Sequence, residues 1–177
     1  WIAKDVSGNT SNGTQVIDVV DTTAPKLTVP ANITFEATSI NNDTIPLGKP
    51  IVTDVQPVTV TNNAPNQFSI GLTTVTWTAK DASGNTSNGT QTVLVKNTIP
   101  PKLSVPANIT FEATSLTDNT VSIGNATATD IQPVTITNNA SKTFPLGKTT
   151  ILWIAKDVSG NTSNGTQVID VVDTTAP

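Results

Sequence analysis

Val75, Trp77 and Ala79 alternate with Thr76, Thr78 and Lys80, and a period of two predicts a β-strand with one buried face and one wet face. The strand runs into Asp81-Ala82-Ser83-Gly84-Asn85, which reads as the opening of an irregular loop, and a second alternating run follows. The two runs are expected to pair as an antiparallel hairpin with a long loop. The whole block occurs three times, beginning at Trp1, Trp77 and Trp153, a spacing of 76 residues. In the first occurrence Ile17 and Val19 are expected to turn inward and Asp18 outward.

Other stretches of the repeat alternate in the same way. Leu27 to Val29 reads as an edge strand stopped by Pro30. Ile33, Phe35 and Ala37 define a second strand, Pro50 to Asp54 a third, and Val58 with Val60 a fourth that ends at Asn62-Asn63. Phe68 and Ile70 are expected to close onto the core before Gly71. The next copy repeats these elements as Ile109/Phe111, Ala126/Ala128, Val134/Ile136, Phe144/Leu146 and Trp153. About seven short strands with regular turn signals and one buried Trp predict a small immunoglobulin-like β-sandwich. The fold class is therefore all-β, in tandem domains. Residues 1–21 supply the last strands of a preceding domain, 22–97 and 98–173 two complete domains, and 174–177 the start of the next linker. Residues 1–25 return unchanged as 153–177, which suggests a window on a longer chain whose parent repeat is 152 residues, a pair of unlike modules. Pro25, Pro100, Pro101 and Pro177 mark short, stiff junctions.

Composition narrows the setting. Thr is very abundant and Val and Ile are frequent, while Cys, His, Arg, Tyr and Met are absent and Glu occurs only at positions 36 and 112. The lack of Cys removes disulfides, thiol nucleophiles and thiolate metal sites. Net charge is −4, carried against nine scattered lysines, which leaves no basic patch for nucleic acid or anionic lipid. No apolar run within the window is long enough for membrane insertion.

The order Pro-Ala-Asn-Ile-Thr-Phe-Glu-Ala-Thr, then Val-Thr-Asp, then Gly-Leu-Thr-Thr-Val-Thr-Trp-Thr-Ala-Lys-Asp-Ala-Ser-Gly-Asn-Thr, then Asp-Thr-Thr-Ala-Pro resembles the hyalin repeat (HYR) module over the whole chain. That resemblance implies an immunoglobulin-like fold, an extracellular or cell-surface location and a role in adhesion or matrix, without catalytic residues.

Candidate chemistry is sparse. No His or Cys, no Gly-x-Ser-x-Gly elbow and no phosphate-binding glycine loop is present, so no enzyme is expected. Asp81, Ser83 and Asn85 place oxygen side chains as the opening of an EF-hand does. The twelfth position is Thr92, or Val16 and Val168 in the other copies, so the bidentate acid is missing. Each loop offers one carboxylate, Asp5, Asp81 or Asp157, so a calcium site would need further oxygens from the junctions, Asp21 or Asp173, or from Asp54 or Asp130. Asn97 replaces the junction Asp between the two complete domains, so alternate junctions should differ. The competing reading is that Asp5, Asp81 and Asp157 accept backbone N–H groups in their own turns.

N-glycan acceptor triplets occur at Asn9, Asn12, Asn32, Asn42, Asn85, Asn88, Asn108, Asn125, Asn139, Asn161 and Asn164, more than the composition gives by chance, and six fall in the loop predicted after the Trp strand. The competing reading is turn chemistry and solubility. A Lys–Asn isopeptide cross-link is not expected, because Lys80 and Glu36 fall on outward faces. The leading expectation is a non-catalytic structural repeat of a long surface filament, stalk or matrix protein whose partners are neighbouring copies in the array or fibre. The alternative is an adhesin module, rigidified by calcium, that recognises a surface glycan or protein.

Overall fold

The structure is a computed structural model describing residues 1–177. It is all-β, and no helix is long and apolar enough to cross a membrane. By its contacts the chain divides into two compact units, residues 1–31, 47–64 and 74–91, and residues 32–46, 65–73 and 92–177.

The second unit contains the whole of the later copy and displays its architecture. Six strands build it: β9 (Lys102–Ser104), β10 (Ile109–Glu112), β11 (Thr127–Thr129), β12 (Val134–Asn138), β13 (Gly147–Asp157) and β14 (Thr162–Val172). One sheet has the order β10-β14-β13-β12, and β11 and β9 form the other. About seven were expected; the stretch around Asn119 and Phe144 makes only an isolated bridge. β10 runs parallel to β14, from Ile109 beside Ile169 to Glu112 beside Val172, a pairing the alternation could not reveal.

The β13–β14 hairpin is longer than predicted. Its ladder continues from Gly147 and Val171 to Lys156 and Thr162, so the expected long loop is a tight turn. Gly160 N donates to Asp157 O at 3.3 Å and Asp157 N to Asn161 O at 3.1 Å. Gly160 closes the turn at φ 95°, a left-handed conformation that favours glycine in short hairpin loops.

The core of this unit is Phe144, Ile151, Trp153, Ile169 and Val171, with Leu103, Ile109 and Phe111 among the side chains packed on it. Leu146, expected beside Phe144, is instead exposed. A fully buried glutamine lies among these groups. Gln167 accepts Trp153 Nε1–H at 3.2 Å and donates to Ala107 O at 2.8 Å and Ile123 O at 2.9 Å. Burying a side-chain amide is costly unless its polar atoms are bonded, and here both are.

The second unit also holds two related buried side chains. Asn119 Oδ1 accepts Thr114 N and Ser115 N, while its Nδ2 donates to Ser115 O at 2.7 Å and Phe144 O at 2.9 Å. Asp43 takes the same position in the earlier copy. Its Oδ1 accepts Thr38 N and Oγ1, but its Oδ2 is buried without a partner.

In the first unit β3 (Lys26–Thr28) pairs antiparallel with β5 (Ile51–Thr53), and β6 (Val58–Asn62) with β7 (Gly71–Asp81). The larger sheet of this copy has the order β4-β8-β7-β6, with β4 at Ile33–Glu36 and β8 at Thr86–Lys96. Val75, Trp77 and Ala79 are buried, as their alternation predicts. Gln91 repeats the role of Gln167: it accepts Trp77 Nε1–H and donates to Ala31 O and Leu47 O.

Residues 1–20 behave differently from their equivalents. β1 (Ile2–Lys4) and β2 (Thr10–Asn12) form a short hairpin, but Trp1 is 84% exposed against 5% for Trp77. Ile17 and Val19, expected inward, are also exposed. A strand face is buried only when a second layer covers it, and none covers this one here.

Candidate functional site

The aspartate that opens each hairpin turn is first a structural acceptor. Asp157 Oδ1 accepts Asn161 N at 2.8 Å and its Oδ2 accepts Asn161 Nδ2 at 2.7 Å. Asp81 is held in the same way by Asn85, and Asp5 by Ser7 N and by Asn9. The Asn9 side chain and then its backbone N–H hold the Asp5 carboxyl below its ordinary range. For Asp81, burial is the largest single influence and acts upward. The hydrogen bonds from Asn85, Gly84 and Ser83 together outweigh it, so the net shift is downward.

Around the Asp81 turn the fold assembles more acid. Asp21, from the segment before β3, and Asp54, just after β5, each bring a carboxylate oxygen to Asp81. The three oxygens lie within 4.8 Å of one another. Asp21 O accepts Asn85 Nδ2 at 3.1 Å, its Oδ1 accepts Thr23 N, and its Oδ2 is buried with no partner. Asp54 Oδ1 accepts Gln56 N, and Gln56 Oε1 accepts the Ser83 hydroxyl at 3.0 Å.

The equivalent corner of the later copy holds Asn97 in place of Asp21. Its Nδ2 donates to Asp157 Oδ2 at 3.0 Å, Asp130 Oδ1 at 3.1 Å and Gln132 Oε1 at 3.2 Å. One amide nitrogen thus stands where the earlier copy has a third acid. Of the seven aspartates considered for calcium, the structure gathers Asp21, Asp54 and Asp81. It puts Asp130 and Asp157 on an amide, leaves Asp5 in its own exposed turn, and has exposed Asp173 accepting Thr175 N.

The sequence and this geometry meet in comparison with known proteins. The chain matches the HYR domain twice, over residues 20–95 and 96–171. The chain belongs to the HYR family. It is 33% identical over 195 residues to Hyalin of Strongylocentrotus purpuratus, covering 98% of this chain and 16% of that protein. It is 32% identical over 193 residues to Hyalin of Lytechinus variegatus, with 98% and 36% covered. The chain therefore spans well under half the length of either relative. Among solved structures it is similar to protocadherin gammaB7 EC3-6, with TM-score 0.40 and 14% identity over 96% of this chain and 56% of that one. It is also similar to Drosophila N-cadherin EC1-4, with TM-score 0.39 and 11% identity over 85% and 50%.

Glutamates tie the HYR modules to the segments that follow them. Glu36 accepts Thr98 N at 2.6 Å and Thr98 Oγ1 at 2.7 Å, and Glu112 accepts the same pair from Thr174. The backbone N–H of each Thr, then its hydroxyl, holds the carboxyl below its ordinary value. Both clamps escaped sequence reasoning, since Glu36 reads only as an outward strand residue. Lys80 is exposed, in line with its alternation.

The acceptor asparagines fall into two groups. Asn12, Asn88 and Asn164 were expected in a loop but are exposed on strands β2, β8 and β14. Asn9, Asn32, Asn42, Asn108, Asn125 and Asn139 are exposed as well. Asn85 and Asn161 are half-buried, and each spends its Nδ2 on the turn Asp and on a carbonyl oxygen, Asp21 O or Asn97 O.

Proposed function

We propose that this chain is a non-catalytic structural segment of a long extracellular array of HYR modules, whose partners are neighbouring copies. The observation that carries this reading is where the polar groups of the repeated block go. Asn85 and Asn161 bind the carbonyl of residues 21 and 97, and Glu36 and Glu112 bind Thr98 and Thr174. The residues that recur every 76 positions are spent on holding hairpins and junctions, which supports a tension-resisting repeat better than a recognition surface. The exposed asparagine triplets support a surface that carries glycans wherever the host glycosylates.

Electron microscopy of the native parent protein tests this. Serial modules along a filament or stalk are the expected result. A short stalk bearing one divergent, aromatic-rich terminal domain would favour an adhesin instead. Binding of the immobilised chain to a glycan or matrix-protein panel above an unrelated β-sandwich control would favour it as well.

A further inference from the structure

We propose that the corner formed by Asp21, Asp54 and Asp81 binds one calcium ion, and that the equivalent corner of the next module is closed to metal by its own amide. This goes beyond the array reading and stands without it. Three carboxylate oxygens lie within 4.8 Å of one another, a span that fits oxygens around a common ion at roughly 2.4 Å each. Asp81 is only 5% exposed. Asp21 Oδ2 is buried with no hydrogen-bond partner, and a desolvated carboxylate oxygen left open in this way calls for a cation or donor.

The chain contains its own control. In the later module the Asn97 Nδ2 sits among Asp130 Oδ1, Gln132 Oε1 and Asp157 Oδ2. Those are the counterparts of Asp54, Gln56 and Asp81. The same cage therefore draws a positively polarised group to its centre when residue 97 provides one. With Asp in that position the donor is lost and an anionic oxygen is gained. The ligand set is all oxygen, which suits a hard ion. Its carboxylates come from three separate segments, an irregular arrangement that calcium's adaptable coordination accepts more readily than the strict octahedron magnesium demands. The ion would join the junction residue Asp21 to the module body. Since Asp returns at position 173, the site would recur at alternate junctions.

Isothermal titration of calcium chloride into the chelator-treated 177-residue chain reads the stoichiometry directly. The expected result is one ion per chain, with a dissociation constant of about 10⁻⁴ to 10⁻³ M, as in extracellular modules, and a Tm that rises with calcium. Asp21→Asn writes the later module's residue into the earlier one. It should abolish both signals while circular dichroism stays unchanged. Asn97→Asp should raise the stoichiometry to two. Absence of binding heat and of a calcium-dependent Tm in the wild-type chain overturns the proposal. Binding undiminished in a folded Asp21→Asn chain also overturns it, and magnesium binding as tight as calcium overturns the choice of ion.

Discussion

Exchanging Asp43 for Asn tests whether the two modules differ in stability for a reason visible in a single atom. Asp43 is 1% exposed, and its Oδ2 has no partner. The corresponding Asn119 Nδ2 makes two hydrogen bonds, to Ser115 O at 2.7 Å and Phe144 O at 2.9 Å. A buried polar atom left unpaired costs about 1–3 kcal/mol, and each new hydrogen bond contributes a net of about 0.5–1.5 kcal/mol. With part of that gain discounted for relaxation of the site, about 2 kcal/mol is expected for Asp43→Asn. In a domain of this size that corresponds to a Tm increase of roughly 8–16 °C. The reverse change, Asn119→Asp, should cost a similar amount, because Ser115 O and Phe144 O lose their donor. Thermal melts at pH 7 followed by tryptophan fluorescence separate the modules, since each has one buried Trp. In a Trp153→Phe background the buried signal comes from Trp77, and in a Trp77→Phe background from Trp153. A neutral Asp43→Asn together with a neutral Asn119→Asp would refute the reasoning.

Three further outcomes are expected. Gln167→Leu strands Trp153 Nε1, Ala107 O and Ile123 O, and should cost about 2–4 kcal/mol in urea unfolding at about 1–3 kcal/mol per unpaired group, lessened by relaxation. Glu112 has a folded pKa below its ordinary value of 4.5, so its clamp stabilises above that pH and the contribution fades as pH falls through the lowered value. Tm profiles of wild type and Glu112→Gln should therefore differ at pH 7 and converge in acid; a constant gap at all pH values would contradict the clamp. In a glycosylating host, peptide mass spectrometry should find Asn85 and Asn161 unmodified in folded protein, with occupancy confined to exposed acceptors such as Asn42, Asn88 and Asn125.

Much of the fold was legible because strand alternation is local. Val75, Trp77 and Ala79 declare their face without help from distant residues. The parallel β10–β14 pair is not local, because nothing near Ile109 names its partner 60 residues away. Gln167 was missed for a different reason. Parity with Ile169 and Val171 places it inward, but a glutamine is ordinarily exposed, and only its three hydrogen bonds explain the exception. The candidate cation corner was half legible. Asp21, Asp54 and Asp81 stood out singly, and Asn97 stood out as a departure. That one amide could fill the centre of the cage depended on distances no spacing encodes.

The parallel pairing of β10 with β14 also decides how a module meets tension. The two strands point the same way, so a pull that enters ahead of Ile109 and leaves beyond Val172 drags them in opposite directions along their length. Bonds arranged this way are sheared together, whereas those of a hairpin opened from its end break in succession. The same parallel pairing joins Ile33–Glu36 to Val93–Lys96 in the earlier copy, so in both copies the backbone bonds between these two strands would be loaded in shear rather than opened one by one.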